Sequence, residues 1–247
     1  MKECSKSIPR RLSQPNFLNK YFVGRGLDIG GKPDPLALYV ELFGRMDSVC
    51  TWDLEQGDAQ LLAGVADASY DFVHSSHCLE HLRDPREGLV NWLRVVKPGG
   101  HLVILVPDED LYEQGQFPST FNGDHRWTFT IFKAGSWSPR SLNVLTLVTD
   151  LAPQAEVVKV ERLDATYRHA LPRFDQTLTP VGECGIEFIL RKRPISEIDA
   201  GGRLPPPDAP VPAELRVHLN QYQNDRDTLK SHNRHTPPFG DDRPLHA

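Results

Sequence analysis

From Val23 onward, short apolar runs rich in β-branched residues alternate with amphipathic stretches, the pattern of βα units wound around a parallel sheet. Strands are predicted at 26–30 (GLDIG), 48–53 (SVCTWD), 70–76 (YDFVHSS) and 101–107 (HLVILVP). Around 35–44 and 85–96, Leu, Val and Trp recur at helical spacing, and Lys97-Pro98-Gly99-Gly100 stops the second of these helices. Ser138-Pro139 reads as the cap of another helix, carrying Leu142, Leu145 and Val148. Two more apolar runs, 157–163 and 185–191, follow with no helical pattern between them, so antiparallel pairing is expected late in the sheet. The expected fold is α/β: a mainly parallel sheet with an antiparallel edge strand and helices on both faces.

After Arg193 the composition changes to AGGRLPPPDAPVP, too rich in Pro and Gly to build core. Beyond it, 213–230 carries a sparse stripe of Leu215, Leu219, Tyr222 and Leu229, enough for one helix. The expected organisation is an N-terminal extension (1–22), a catalytic-size domain (23–193) and a Pro-rich linker with a helix and tail (194–247). The 21 prolines against 18 glycines divide accordingly: Pro33, Pro35, Pro85, Pro98 and Pro139 punctuate turns and helix starts, and the cluster from Pro205 to Pro212 marks the domain's end.

Charge narrows the partners. With 28 basic and 33 acidic residues the net charge is −5, so binding to nucleic acid or an anionic membrane through phosphates is not indicated. Cys4, Cys50, Cys78 and Cys184 form no Cys-x-x-Cys pair and read as reduced thiols. Residues 1–20 lack the apolar stretch of a secretion signal and no later run reaches the length of a membrane span, so a cytoplasmic protein is expected.

Candidate chemistry begins at GLDIGGKPDP. Glycines after a central strand let the backbone approach a ligand at the carboxyl edge of the sheet. Asp53, ending the second strand about two dozen residues on, can accept both hydroxyl hydrogens of a ribose. Nicotinamide dinucleotides and S-adenosylmethionine both satisfy that pair. A dinucleotide needs G-x-G-x-x-G to seat its pyrophosphate, whereas Gly30-Gly31 is followed by Lys32-Pro33-Asp34-Pro35, with a carboxylate where phosphate would be repelled.

GLDIGG, Asp53, Gly57-Asp58-Ala59, YDFVHSSHCLEHLRDP and LRVVKPGGHLVILVP stand in the order of a class I S-adenosylmethionine-dependent methyltransferase, and this stretch, about 23–110, resembles the type 11 branch. The resemblance implies a Rossmann-like fold and S-adenosylmethionine as cofactor. It places Asp28, Gly30 and Gly31 around the methionine end, Asp53 on the ribose, Leu54 beside the adenine, Asp58 and Ala59 at the adenine edge, and the carbonyls of Ser75 and Ser76 at the ammonium group. Lys32 departs from the family, which commonly has another glycine there. An NAD(P)-dependent oxidoreductase and a non-catalytic methyltransferase-like binding protein are the alternatives.

His77-Cys78-Leu79-Glu80-His81 matches H-x-x-E-H, in which two histidines one helical turn apart bind zinc in certain proteases. Directly after a sheet strand, and within this motif order, it reads as a structural turn, with His77 facing the cofactor's methyl group and no metal ligands assigned. The acceptor side is expected from 108–137, which mixes Tyr112, Phe117, Phe121, Trp127 and Phe129 with Asp108, Glu109, Asp110, Asp124 and His125. Aromatic faces beside carboxylates suit a small-molecule acceptor such as a sugar or amino sugar. His125 is the candidate base, with Asp108 or Asp124 orienting it or the substrate.

Overall fold

The strands β1 (Gly24–Ile29), β2 (Met46–Trp52), β3 (Tyr70–Ser76), β4 (Val96–Pro107), β7 (Ala155–Leu163) and β8 (Gly185–Lys192) form one sheet in the order β2-β1-β3-β4-β8-β7. The pairs β1–β2, β1–β3 and β3–β4 are parallel. β8 runs antiparallel to both neighbours, so the counter-running strand lies one position in from the edge. In this computed structural model residues 3–204 and Arg226 are described. Residues 1–202 form one unit and 203–247 a second. The Pro-rich cluster at 205–212 and the helix expected over 213–230 lie outside the described residues, apart from Arg226.

Near-continuous apolar runs explain why β4 and β8 are central, with both faces covered, and β3 is buried beside them although it carries His74 and Ser75. Alternation along β4 sends Leu102, Ile104 and Val106 to one core, with Leu89, Trp92 and Val95 of helix α2 (Pro85–Val95) and Leu147 and Val148 of α3 (Val144–Thr149). Val103 faces the other core, with Phe72, Ile189, Phe22 and, from helix α1 (Glu3–Leu12), Cys4 and Ile8. Asp84 caps α2, accepting from Arg86 N at 2.8 Å, with Pro85 in the first turn.

Two expected elements differ. The helix at 35–44 is a 3₁₀ turn, Leu36–Leu42. The helix expected after Ser138-Pro139 starts later: residues 141–143 pair in parallel as β6 (Ser141–Asn143) with β5 (Thr128–Thr130), placing Leu142 opposite Phe129, and the Asn143 side chain caps α3 by accepting from Leu145 N at 2.9 Å. The strand pairing claims Leu142 before a helix can form. Helix α4 (Ile195–Asp199) follows β8. Among the described residues no helix is long and apolar enough to cross a membrane.

Residues 3–22 are built into the sheet's second face by charge as well as by apolar contact. Arg11, fully buried, donates to Glu187 Oε2 from Nε at 3.0 Å and to His74 Nε2 from Nη1 at 3.0 Å. Because His74 Nε2 accepts, its Nδ1 carries the proton and donates to Asp28 Oδ1 at 2.6 Å. Burial, opposed by Asp28, lowers the His74 pKa, in keeping with a neutral ring. Burial alone would raise Glu187, but Arg11, Arg10 and Lys159 outweigh it and hold the carboxyl at about 2.

Candidate active site

β1 has β2 on one side and β3 on the other, so the chain order reverses there, and open α/β sheets bind ligands beyond the carboxyl ends at that point. Gly30 leaves β1 with φ +70°, and a Cβ there would lie 2.6 Å from Cys78 Cβ. At Gly31 a Cβ would lie 2.3 Å from Asp28 Oδ2. Asp28 cannot give way, because that oxygen accepts from Leu36 N at 2.7 Å while the other holds His74. The loop is therefore pressed against the sheet end with bare backbone facing the cleft.

At the end of β2, Asp53 accepts from Lys32 N at 3.0 Å and Leu54 N at 2.8 Å, which fixes the carboxylate while each oxygen keeps a further lone pair. A cavity of about 480 Å³ opens here, lined by Gly30, Asp53, Leu54, Ala59, Gln60 and Arg126 among others. Leu54 is 92% exposed, a large apolar side chain without a partner in the fold. Lys32 is paired with Glu55.

Gly30 and His81 line this cavity and also a second one, of about 230 Å³, so the two adjoin. Its walls include Asp28 and Gly31, Ser76 and His77 at the end of β3, Tyr112, Asn122 and His125 from the segment after β4, and Glu3 and Cys4 of α1. Asp34 ties α1 to the glycine loop, accepting from Ser5 N at 2.7 Å. Against this cavity stands Glu80, fully buried, with neither oxygen in a hydrogen bond. His77 Nδ1 is 3.3 Å from its Oε1, His125 Nε2 3.9 Å and His81 Nε2 4.0 Å. Burial would raise the Glu80 pKa, but His77, His81 and His125 outweigh it and the net direction is down. Burial likewise opposes charge on His77, but Glu80 and Glu3 outweigh it and raise its pKa. Burial pushes the Tyr112 phenol up, and its hydroxyl has no hydrogen-bond partner.

The fold distributes the expected residues unevenly. Gly30, Asp53, Leu54, Asp58 and Ala59 line the first cavity, and Asp28, Gly31, Ser76, His77 and His125 the second. Asp58 is drawn partly away, its oxygens holding Gln60 N at 2.7 Å and Arg83 at 2.9 Å. Ser75 is buried beneath the cleft, its hydroxyl donating to the Ile29 carbonyl at 3.1 Å. Asp108 lines neither cavity: Oδ1 caps the turn at Glu109–Glu113, accepting from Asp110 N at 3.0 Å, and Oδ2 faces Arg162 at 3.5 Å. Burial, only partly offset by Arg162, lifts its pKa to about 6. The carboxylate that orients His125 is Glu113, bonded to its Nδ1 at 2.7 Å, whereas Asp124 offers its backbone carbonyl to His81 Nδ1 at 3.1 Å. Glu113 and Glu3 carry no sequence signal; Glu80 and His81 were visible only as part of H-x-x-E-H.

The residues fit S-adenosylmethionine. Leu54 offers an apolar face for a purine, Asp53 a fixed carboxylate for a diol, and Ser76 Oγ, buried and without a hydrogen bond, a polar atom for the amino-acid end. The sheet order and this cleft define a class I methyltransferase that uses S-adenosylmethionine. A family model described as a methyltransferase domain matches residues 2–145, more than half of the chain, and the protein belongs to that family. No curated protein matches the chain. Among solved structures, one described as an S-adenosylmethionine-dependent methyltransferase from Listeria monocytogenes aligns with a TM-score of 0.50 at 13% identity, over 78% of this chain and 100% of that one. Phosphoethanolamine N-methyltransferase 2 from Haemonchus contortus, solved with S-adenosyl-L-methionine, gives 0.45 at 16% identity over 75% and 53%. A methyltransferase solved with the Haloferax volcanii Trm112 activator gives 0.45 at 13% identity over 76% and 89%. At these identities the likeness is one of fold.

Proposed function

We propose that the enzyme methylates a hydroxyl or amine of a small polar acceptor, of the size of a sugar or amino sugar, held in the cavity beside Gly30. The observation that carries this reading is that Tyr112, Asn122 and His125 of the segment after β4 line that cavity together with His77 and Glu3. The aromatic platform is narrower than the composition suggests. Phe129 is fully buried in the core, Trp127 donates to the Leu82 carbonyl at 2.9 Å, and Phe121 packs edge-on to Tyr112. Polar groups therefore select the acceptor, with Tyr112 as the aromatic wall.

Most of the acceleration comes from holding the acceptor atom in line with the methyl–sulfur bond in a cavity shielded from water. The acceptor's lone pair forms the new bond to the methyl carbon, the carbon–sulfur pair stays on sulfur, and the acceptor's proton must leave. His77 is the candidate to receive that proton: Nδ1 faces Glu80 at 3.3 Å, and Nε2, buried without a hydrogen bond and 3.8 Å from Glu3 Oε2, takes it, the two carboxylates stabilising the imidazolium that results. His125, the base expected from the sequence, instead turns Nε2 toward Glu80.

Incubation with methyl-labelled cofactor and a panel of hydroxylated and amino sugars tests the reading. Label in a small acceptor, with kcat reduced in His77→Ala at unchanged cofactor affinity, supports it; label entering only protein or nucleic acid overturns it.

A further inference from the structure

Glu80 is anomalous for a buried carboxylate. An ionised group removed from water needs donors or a cation; neither Glu80 oxygen makes a hydrogen bond of good geometry, and the imidazole nitrogens that face it stand 3.3 to 4.0 Å away. Two of those rings are set up to give lone pairs. His125 Nδ1 donates to Glu113, itself fully buried, at 2.7 Å, and His81 Nδ1 donates to the Asp124 carbonyl at 3.1 Å, so in the neutral rings both Nε2 atoms face Glu80 bare. An outer carboxylate or carbonyl fixing Nδ1–H while Nε2 points at a shared centre is the arrangement that second-shell partners give metal-binding histidines. One ligand atom each from Glu80, His81 and His125 lies within 4.8 Å of the others.

We propose that Glu80, His81 and His125 bind a divalent transition-metal ion of the zinc class beside the acceptor cavity, leaving one coordination position open to that cavity. Two imidazoles and one carboxylate are a sufficient protein ligand set for such an open site. Bonds of about 2.1 Å in a tetrahedron place ligand atoms about 3.4 Å apart. Glu80 and each histidine therefore close by roughly half an ångström on binding, and the two histidine nitrogens, within 4.8 Å of each other, by up to about 1.4 Å. The ligand set is not the one H-x-x-E-H implies. Residues 79–81 form a single 3₁₀ turn after a strand, not a helix carrying His77 and His81 on one face, and the third ligand, His125, comes from the segment after β4. His77, at 3.3 Å from Glu80 Oε1, orients the carboxylate. In use, the open position takes the acceptor's oxygen or nitrogen and holds it toward the methyl group. That use rests on the proposed function, whereas the site itself rests on the side chains alone.

The test uses the full chain, stripped with a chelator and titrated with Zn²⁺ by calorimetry and with Co²⁺ by visible absorption, with S-adenosylhomocysteine binding measured on the same samples. One ion per chain and a Co²⁺ spectrum of low-symmetry nitrogen and oxygen coordination are expected. His125→Ala and Glu80→Gln lose the saturable stage, and Glu113→Gln weakens it about 10- to 100-fold while leaving the ligands in place. His81→Ala, at a half-exposed position, serves where the buried variants fail to fold. Absence of stoichiometric binding, or binding in His81→Ala or His125→Ala equal to that of the unaltered protein, overturns the proposal. Retained S-adenosylhomocysteine binding in that event leaves the methyltransferase reading standing, so the two can fail separately.

Discussion

Replacing Arg11 with methionine removes a buried guanidinium that joins α1 to the cofactor strand. In the folded protein Arg11 satisfies Glu187 Oε2 and His74 Nε2, each at 3.0 Å, and its side chain is fully buried. Breaking a buried ion pair by removing one partner costs about 3–5 kcal/mol, because the remaining charge stays buried. Here Arg10, at 2.8 Å, and Lys159, at 3.1 Å, still face Glu187, which places the loss at the lower end. The orphaned His74 nitrogen adds about 1 kcal/mol or more. The expected loss is therefore about 3–4 kcal/mol, a large share of the 5–15 kcal/mol typical of a domain. Urea denaturation at neutral pH measures it, with Glu187→Gln and the double variant completing a cycle whose coupling is expected to reach about 2 kcal/mol. Because His74 holds Asp28, and Asp28 holds the loop at Leu36 while packing against Gly31, cofactor affinity falls with stability. A loss below about 1 kcal/mol, or additive single variants, would refute the view that this chain of contacts anchors α1 to the site.

Four further outcomes follow from the same geometry. Glu187 is depressed from 4.5 to about 2, so its contribution, about 3 kcal/mol, is complete above about pH 4.5 and is lost as pH falls through about 2; the acid denaturation of Glu187→Gln should lack this component. Asp108 is raised from 3.8 to about 6, so its sign is opposite: stability is greatest below about 3.8 and declines as pH rises through about 6, and Asp108→Asn should unfold at higher urea concentration than the unaltered protein at pH 8. Gly31→Ala sets a Cβ 2.3 Å from the immobile Asp28 Oδ2, which should cost about 1–3 kcal/mol in stability by calorimetry and weaken cofactor binding with it. Leu54→Ser, at a side chain 92% exposed, should change stability by less than about 0.5 kcal/mol yet reduce S-adenosylhomocysteine affinity about tenfold, the two being read by thermal melting and titration.

The periodic parts of the fold were legible because their pattern has one cause. The apolar runs of β4 and β8 are covered on both faces, and Asp84-Pro85 before an amphipathic stretch forms the helix start it resembles. That Gly30 and Asp53 come together was legible for a similar reason: each is one strand end from the sheet, and both line the same cavity. Long-range pairing was not. Leu142 belongs to a strand through Phe129, and Arg11, a polar residue in a polar segment, is buried because Glu187 and His74 await it on strands far along the chain. On the acceptor side, alternating aromatics and acids gave composition but not direction. Asp108 turned out to cap a turn, and Glu113, indistinguishable in sequence from its neighbours, turned out to orient His125.

Calorimetric titration of the full chain with S-adenosylhomocysteine and, separately, with NAD tests the central claim most directly. Binding of one S-adenosylhomocysteine per chain, weakened about 10- to 100-fold in Asp53→Ala through loss of its charge-assisted hydrogen bonds and with no heat from NAD, is the expected result. Binding of NAD in its place, or S-adenosylhomocysteine binding indifferent to Asp53, would contradict it.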